Sequence, residues 1–228
     1  MWISATATRR GVRPYNCDAA LMWRADDRTV AVVVDGIGNS AEVAANSALL
    51  ADVAARVAAD RGGMAGLLSA SGLLNAPADD REDPDAVAVL AVAHPDVAVI
   101  HWIGDARAYG WDGVELRQYT TDHTVGEQLR RNGVALDLAA DHDNWVRTTV
   151  GRATVATVYE AQIPSEQLVL LTSDGVHDQM SHQELTALVR EHHADPQRLA
   201  DALVDAARPD ETGYRDDATA VVLSLTKQ

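Results

Sequence analysis

Hydrophobic positions along the chain follow two periods, and segments of each period come in blocks. Continuous or alternating apolar runs bounded by glycine or acidic residues predict strands. These strands are 2–8, 17–24, 29–35, 86–93, 97–104, 106–112, 114–119, 153–161, 167–173 and 219–225. Helical spacing and end signals predict helices from an Asn39–Glu42 capping box to the Gly62-Gly63 pair, and over 64–75, 125–131, 181–192 and 196–207.

The order of these elements predicts how they pack. Strands joined by tight turns pair antiparallel, and the chain lacks the strand–helix alternation of a doubly wound parallel sheet. We therefore expect an α+β fold with two antiparallel sheets face to face and helix pairs on the outer faces. No linker, repeat or low-complexity tract is visible, which predicts a single domain over 1–228, with an acidic, solvated connection at 77–85.

Charge and cysteine content narrow the possible partners. The sequence has 34 acidic and 19 basic side chains, for a formal net charge of −15. Such a surface repels nucleic acid and anionic membranes, so we expect neither as a partner. The chain has one cysteine, Cys17, no signal-peptide core and no apolar run of membrane length, which predicts a cytoplasmic location.

Aspartates stand at the ends of several apolar strands. Three strands end in an aspartate next to a glycine, at Asp35, Asp105 and Asp174. Two others begin beside an aspartate, at Asp18 and at 216–217. One Asp-Gly pair is explained by a turn. A buried charge without a partner is costly, and several carboxylates converging from strand ends with few basic neighbours favour a Mg²⁺ or Mn²⁺ site.

Six short segments carry a resemblance to a known family. They are RPYNCDAA (13–20), VVVDGIGNS (32–40), IGDARAY (103–109), TTDHT (120–124), LLTSDGVHD (170–178) and GYRDDATAVVL (213–223). Each is weak alone, but together and in this order they resemble the metal-dependent Ser/Thr protein phosphatases (the PPM family, type 2C) in their compact bacterial form. The resemblance implies a four-layer α-β-β-α sandwich, in agreement with the packing expected above.

The resemblance also implies metal ligands. Asp35 would bridge two metal ions, with the Gly36 carbonyl on the second ion. Asp174 and Asp216 would complete the shell of the first ion, and Asp18 would orient waters on the metals. The implied cofactors are therefore two Mn²⁺ or Mg²⁺ ions per site.

Three further residues have implied roles. Asp105 and Asp178 match acids that hold a third, weaker ion in bacterial relatives, and Arg13 matches the arginine that binds the substrate phosphate through its planar guanidinium. The implied activity is hydrolysis of phosphoserine or phosphothreonine in proteins by a hydroxide bridging the two ions, without a phosphoenzyme. The implied partners are phosphorylated proteins, the substrates of a cognate kinase.

The sequence departs from the family pattern in places, which keeps a second interpretation open. Cys17 stands where the family has Glu, Asn39 where it has a second Gly, and Asp217 where it has Asn. The alternative is a catalytically weak or dead relative that binds phosphoproteins as a regulatory module. The five acids at the family's metal positions are all present, which favours an enzyme.

One other hydrolase class shares part of the pattern. Haloacid-dehalogenase-type phosphohydrolases also have an apolar strand ending in Asp and a late Asp pair. That class needs a second acid two residues after the first, where this chain has Ile37. Substrate specificity is expected to lie in surface loops, chiefly in the irregular segment 133–150.

Overall fold

The computed structural model describes residues 1–25, 27–74, 84–209 and 212–226, so most of the acidic segment 77–85 lies outside the described residues. The strands are β1 (Trp2–Arg9), β2 (Asp18–Arg24), β3 (Thr29–Ile37), β4 (Asp85–Ala93), β5 (Val97–Ile103), β6 (Arg107–Trp111), β7 (Leu116–Gln118), β8 (Tyr159–Pro164), β9 (Leu168–Thr172) and β10 (Ala218–Leu225). The helices are α1 (Ala41–Arg61), α2 (Gly63–Ser71), α3 (Val125–Arg131), α4 (Leu136–Ala140), α5 (Asp174–His177), α6 (His182–His192) and α7 (Pro196–Ala206), with a 3₁₀ turn at Val150–Arg152.

The strands form two five-stranded sheets in which every pairing is antiparallel. The first sheet has the order β1-β10-β9-β6-β7, and the second has the order β2-β3-β4-β5-β8. Strands from the two ends of the sequence are neighbours in the first sheet, because β1 pairs with β10 along its whole length, from Trp2 opposite Leu225 to Arg9 opposite Ala218.

Apolar side chains fill three layers between the elements. In β3, Val32 faces the α1–α2 pair and Val33 faces the other sheet, as the two-residue period of a strand requires. In β9, Leu171 lies between the sheets, and Leu170 faces the α6–α7 pair. Because both faces of both sheets are covered, the central strands are continuous apolar runs, and the predicted α+β sandwich of four layers is confirmed.

Several predicted element ends are wrong: helix α2, for example, ends at Ser71 and not at 75, and two others differ for a local reason. The N-cap of α1 is Ser40, whose hydroxyl accepts a hydrogen bond from the Val43 amide at 3.2 Å, so the capping box at Asn39 does not form. Strand β8 starts at Tyr159, six residues later than predicted. The preceding residues form a turn, in which the Thr157 hydroxyl accepts from the Thr154 amide at 2.8 Å.

Segment 133–150, predicted to be irregular, contains the short helix α4. The C-terminal end of this segment is held against the start of β4. There the Asp85 carboxylate accepts hydrogen bonds from the Thr149 hydroxyl and, at 2.8 Å, from the Gly151 amide. No helix within the described ranges combines the length and apolar character needed to cross a membrane.

Candidate active site

A cleft of about 650 Å³ opens where β3 ends, β9 leads into α5 and the chain enters β10. Its walls include all but one of the residues that the sequence predicted to bind metal ions or phosphate. Those residues are Arg13, Asp35, Gly36, Asp105, Asp174, Asp178 and Asp216. The remaining residue, Asp18, is 8% exposed and lies opposite Asp35 in the β2–β3 register.

Asp35 projects from a central strand rather than from a strand end. The sequence predicted that the strand stops at Asp35, but β3 continues to Ile37, because Gly36 and Ile37 still pair with Ala86 and Asp85 of β4. Glycine at position 36 lets α1 approach: an added Cβ would lie 2.4 Å from the Ser47 hydroxyl oxygen. The carboxylate of Asp35 is therefore fixed at the base of the cleft by the sheet.

Asp18 is held by a buried hydroxyl that the sequence analysis did not identify. The Ser173 hydroxyl donates to Oδ2 of Asp18 at 2.7 Å and accepts from the Thr219 amide at 3.0 Å. Burial raises the pKa of Asp18 to about 7, and the charge of Asp174 adds to this shift, although the hydrogen bond from Ser173 opposes it. Ser173 lies within the LLTSDGVHD motif, so its position, but not its role, was visible in the sequence.

Asp105 follows a turn that only glycine can make. Gly104 has φ +94°, and a Cβ there would lie 2.1 Å from a Val87 methyl carbon. The Gly104 amide donates to Nδ1 of His123 at 3.1 Å. Burial lowers the pKa of His123 to about 4, so its ring is a neutral acceptor at pH 7. Burial and then the charge of Asp174 raise the pKa of Asp105 to about 7.

The short helix α5 carries two more of the acids. Asp174 begins α5 directly after β9, and the Asp178 amide donates to the Asp174 carbonyl at 2.8 Å. The Asp178 side chain, 46% exposed, lies 3.8 Å from Arg107. Partial removal from water raises the pKa of Asp178 to about 6, an effect that Arg107 opposes and Asp174 strengthens.

Arg13 and Asp216 form the opposite side of the cleft. The Arg13 guanidinium pairs directly with Asp216 and donates to the Gly38 carbonyl at 3.1 Å. The Tyr214 hydroxyl donates to the other oxygen of Asp216 at 3.2 Å. The predicted phosphate-binding arginine thus lies beside one of the predicted metal-binding acids in the wall of the cleft.

The acids around Asp35 repel one another. Burial, followed by the charges of Asp174, Asp18 and Asp105, raises the pKa of Asp35 well above its usual range. Among the described residues, no group of three or more His, Cys, Asp or Glu side chains is arranged to hold a metal ion. Two of the acids instead face protein partners, since Asp216 pairs with Arg13 and Asp18 accepts from Ser173.

The donor set nevertheless has the chemistry of a hard-metal site. The side chains that converge on Asp35 offer only carboxylate oxygens, which Mn²⁺ and Mg²⁺ prefer, and the cluster has more negative charge than Arg13 can balance. A divalent cation would balance the negative charge of these carboxylates, whose pKa values are raised by burial and then by mutual repulsion. The residues therefore fit a divalent cation in the chemistry of their donor atoms.

A smaller polar pocket of about 350 Å³ lies on the far side of Asp178. In this pocket Arg107 makes a two-pronged contact with Asp122, with Nε 3.0 Å from Oδ1 and Nη2 2.6 Å from Oδ2. Arg130 forms a second ion pair in this pocket, with Asp143. The pocket's carboxylates thus include partners for both of its arginines, and sequence reasoning assigned none of these residues a role.

Cys17 packs as a small buried group. It is 1% exposed, and its sulfur donates toward the Ser40 carbonyl at 3.9 Å. Burial raises the pKa of the thiol, so Cys17 stays neutral at pH 7. The Cys17 backbone also contacts β3, because its carbonyl accepts a hydrogen bond from the Gly36 amide at 3.1 Å.

Comparisons of sequence give one family match. Residues 120–226 match the family described as Stage II sporulation protein E (SpoIIE). No curated protein sequence matches the chain.

Solved structures match over nearly the whole chain. A serine/threonine phosphatase of S. agalactiae has a TM-score of 0.85 at 15% identity, covering 99% of this chain and 100% of that one. PppA of Pseudomonas aeruginosa, described as a key regulatory component of T6SS, has a TM-score of 0.79 at 26% identity, with 98% and 97% covered. The catalytic domain of the protein phosphatase PstP, in complex with two manganese ions, has a TM-score of 0.74 at 21% identity, with 99% of each chain covered.

The two kinds of match support the same assignment. The whole chain has the fold of bacterial serine/threonine phosphatases, and its C-terminal part matches the SpoIIE family in sequence. The resemblance indicated by the six motifs is thereby confirmed at the level of the fold: the chain is similar to bacterial serine/threonine phosphatases, and its residues 120–226 match the SpoIIE family.

Proposed function

We propose that this protein is a phosphoprotein phosphatase that hydrolyses phosphoserine or phosphothreonine with the help of Mn²⁺ or Mg²⁺. One observation carries the proposal: mutually repelling carboxylates surround Asp35. They line an open cleft together with Arg13. The fold of the neighbouring phosphatases, and the manganese ions in the PstP complex, support the same function.

The proposed ligands are residues in the walls of the cleft, with the roles that the resemblance implies. Asp35 would bind both ions, the Gly36 carbonyl would bind the second, Asp174 and Asp216 would complete the first, and Asp105 with Asp178 would hold a third, weaker one. When bound, the ions would lower the pKa of a water molecule and balance charge on the phosphoryl oxygens. The water would then attack phosphorus directly.

The chain's own side chains would bind and orient the reactants. Arg13 would donate two parallel hydrogen bonds to the phosphate oxygens. Asp18, kept in place by Ser173, would accept a hydrogen bond from water at the metal centre and so fix its direction. Ser173 is fully buried and already bonded to Asp18, so it is not proposed as a nucleophile. Ile37 stands beside the cleft where some relatives carry a histidine, so water would protonate the leaving oxygen.

The proposed setting is intracellular signalling. The substrates would be proteins phosphorylated on serine or threonine by a cognate kinase in the cytoplasm. The strongly negative chain favours basic protein surfaces over nucleic acid or anionic lipid. The single buried cysteine fits a reducing compartment.

A second candidate, a catalytically weak or dead phosphoprotein-binding module, has one observation in its favour. Asp216 is paired with Arg13 instead of facing the other acids. Hydrolysis of p-nitrophenyl phosphate and of a phosphothreonine peptide, with Mn²⁺ and with a chelator, separates the two. We expect turnover only with the metal; full activity after exhaustive chelation contradicts the metal-dependent mechanism, and binding without turnover favours the module.

A further inference from the structure

Residues 11–17, here called the Arg13 loop, connect β1 to β2, and one side chain fastens both ends of this loop. Oδ1 of Asp217 accepts from the Gly11 amide at 2.7 Å, and Oδ2 accepts from the Cys17 amide at 2.8 Å. Asp217 is 1% exposed, so water does not compete for these bonds. A single carboxylate thus closes a loop from which it is separated by 200 residues or more in sequence.

The Arg13 loop also packs directly on the backbone that precedes β10. The Val12 amide donates to the Arg215 carbonyl at 3.0 Å. A Cβ at Gly11 would lie 2.2 Å from the same oxygen, closer than real Cβ atoms come. The start of the loop therefore has one tightly fitted position, which the carboxylate of Asp217 and the Arg215 carbonyl define together.

Arg13 projects from this fastened loop toward the cleft. Its guanidinium lies 3.8 Å from Oδ2 of Asp217, pairs with Asp216 and donates to the Gly38 carbonyl. Asp217 therefore acts on Arg13 in two ways, through the backbone on either side of it and through a negative charge beside its guanidinium.

The chemistry of these contacts explains why position 217 carries an aspartate where the family has Asn. Two backbone N–H groups need two acceptor oxygens, and a carboxylate supplies both. An asparagine would turn its NH₂ group toward one of the amides and leave a buried donor without a partner, which is costly. The adjacent positive charge of Arg13 further favours the carboxylate.

We propose that Asp217 is a positioning residue for Arg13. It lies behind the wall of the cleft and sets where the guanidinium meets a phosphate, without touching substrate itself. The inference deepens the proposed function and rests on it for the role of Arg13. It predicts that changes at Asp217 weaken phosphate binding through Arg13 and leave the metal site nearly intact.

The test is a double-mutant cycle on the Mn²⁺-loaded full chain, with inorganic phosphate as the probe and calorimetry as the readout. Asp217→Asn should weaken phosphate binding about tenfold, the effect of one disrupted charged hydrogen bond. Arg13→Ala should weaken it at least as much, and the double variant should match Arg13→Ala within about twofold, because the two residues act as one unit. An unchanged constant in Asp217→Asn, or additive losses, overturns the proposal.

Manganese affinity, measured on the same variants, separates Arg13 from the neighbouring acid. We expect the Mn²⁺ dissociation constant of Asp217→Asn to change by less than about threefold; a loss as large as that for phosphate means that Asp217 acts through Asp216, and the proposal fails. Asp112→Asn is the control for removing an aspartate charge elsewhere, because the exposed Asp112 accepts from two backbone amides, at 2.8 Å each, through one oxygen in another turn. It should leave phosphate binding unchanged.

A second variant covers the case in which Asp217→Asn does not fold. Gly11→Ala shifts the same loop without removing a buried charge, but its Cβ would also lie 2.6 Å from the Asp216 backbone, so this variant is judged by its phosphate constant alone. Phosphate binding should weaken, and an unaltered phosphate constant in that variant counts against the proposal. Failure of the proposed function looks different, because a wild-type protein that binds phosphate but hydrolyses no phosphoester contradicts the activity and leaves the positioning role intact. Absence of phosphate binding in the wild type contradicts the inference.

Discussion

Two polar regions lie on either side of Asp178, and they differ in whether their carboxylates are paired with basic side chains. In the cleft, the carboxylates around Asp35 face one another, and their pKa values are raised by burial and mutual repulsion. In the neighbouring pocket, Asp122 binds Arg107 through two contacts within 3.0 Å. One region supplies its own counter-charge, and the other needs a counter-charge from outside. This contrast favours the cleft over the pocket as the proposed site for metal ions.

The largest expected effect comes from Asp35→Asn. The bridging carboxylate would lose its charge, so turnover with Mn²⁺ should fall by about 100-fold or more, a loss of about 2.7 kcal/mol in transition-state stabilisation. In a chelator at pH 8, the same variant should melt no lower than the wild type, since a repelling charge has been removed. Steady-state kinetics and differential scanning calorimetry check both parts. A variant that keeps more than about a tenth of the wild-type rate would falsify the assignment of Asp35.

The next effect is expected in the paired pocket and should appear in stability. Asp122→Asn removes the negative charge from the Arg107–Asp122 ion pair, whose side chains are 22% and 15% exposed. The expected loss in the free energy of unfolding is about 2 kcal/mol, between the values for surface and for fully buried pairs. Chemical denaturation measures it. The contrast between the two regions breaks down if this variant loses metal binding rather than stability.

A smaller effect should appear as a pH dependence of stability. The folded pKa values of Asp18 and Asp105 are raised to about 7, so the folded state holds protons that the unfolded state has released above about pH 4. Stability from these groups is therefore present at low pH and lost as pH rises through 7. Buried histidines such as His123, whose pKa is lowered to about 4, act in the opposite sense, so the effect is measured as a difference between two proteins. In a chelator, the melting temperature of the wild type should fall relative to that of Asp105→Asn from pH 5 to pH 8, and Mn²⁺ at pH 8 should raise it again. A difference that does not change over this range contradicts the raised pKa of Asp105.

The smallest effect is expected at Cys17. Its thiol is neutral, buried and directed toward the Ser40 carbonyl, so Cys17→Ser should change the Mn²⁺ dissociation constant by less than about twofold. Isothermal titration calorimetry with Mn²⁺ gives the value. A larger shift means that the side chain at this position takes part in metal binding.

Much of the fold could be predicted from the sequence, because apolar runs and turn residues are local signals. β2, β9 and β10 begin and end within one residue of the prediction. Two of the errors described above involve competition between neighbouring polar groups: Ser40 caps α1 instead of Asn39, and Thr157 forms a turn with Thr154 before β8. Short hydroxyl contacts of this kind leave no periodic signal.

The site could be predicted only as a set of residues. The motifs bring Asp35, Asp174 and Asp216 to one cleft as expected. They do not reveal which group holds each side chain, because those partners are distant in sequence. Ser173 holds Asp18 across 155 residues, and Asp217 holds the Cys17 amide across 200. Such contacts depend on the packed sandwich and cannot be read from spacing.

The pairing of β1 with β10 has a consequence for how the protein is made. During synthesis the Arg13 loop emerges early, but Asp216, Asp217 and the strand that covers β1 emerge more than 200 residues later. Until β10 arrives, β1 lacks the strand that pairs with it, and the carboxylate that fastens the loop is missing. A nascent chain should therefore complete its cleft only at the last step of folding. This order would delay any activity toward other proteins until the whole sandwich has formed.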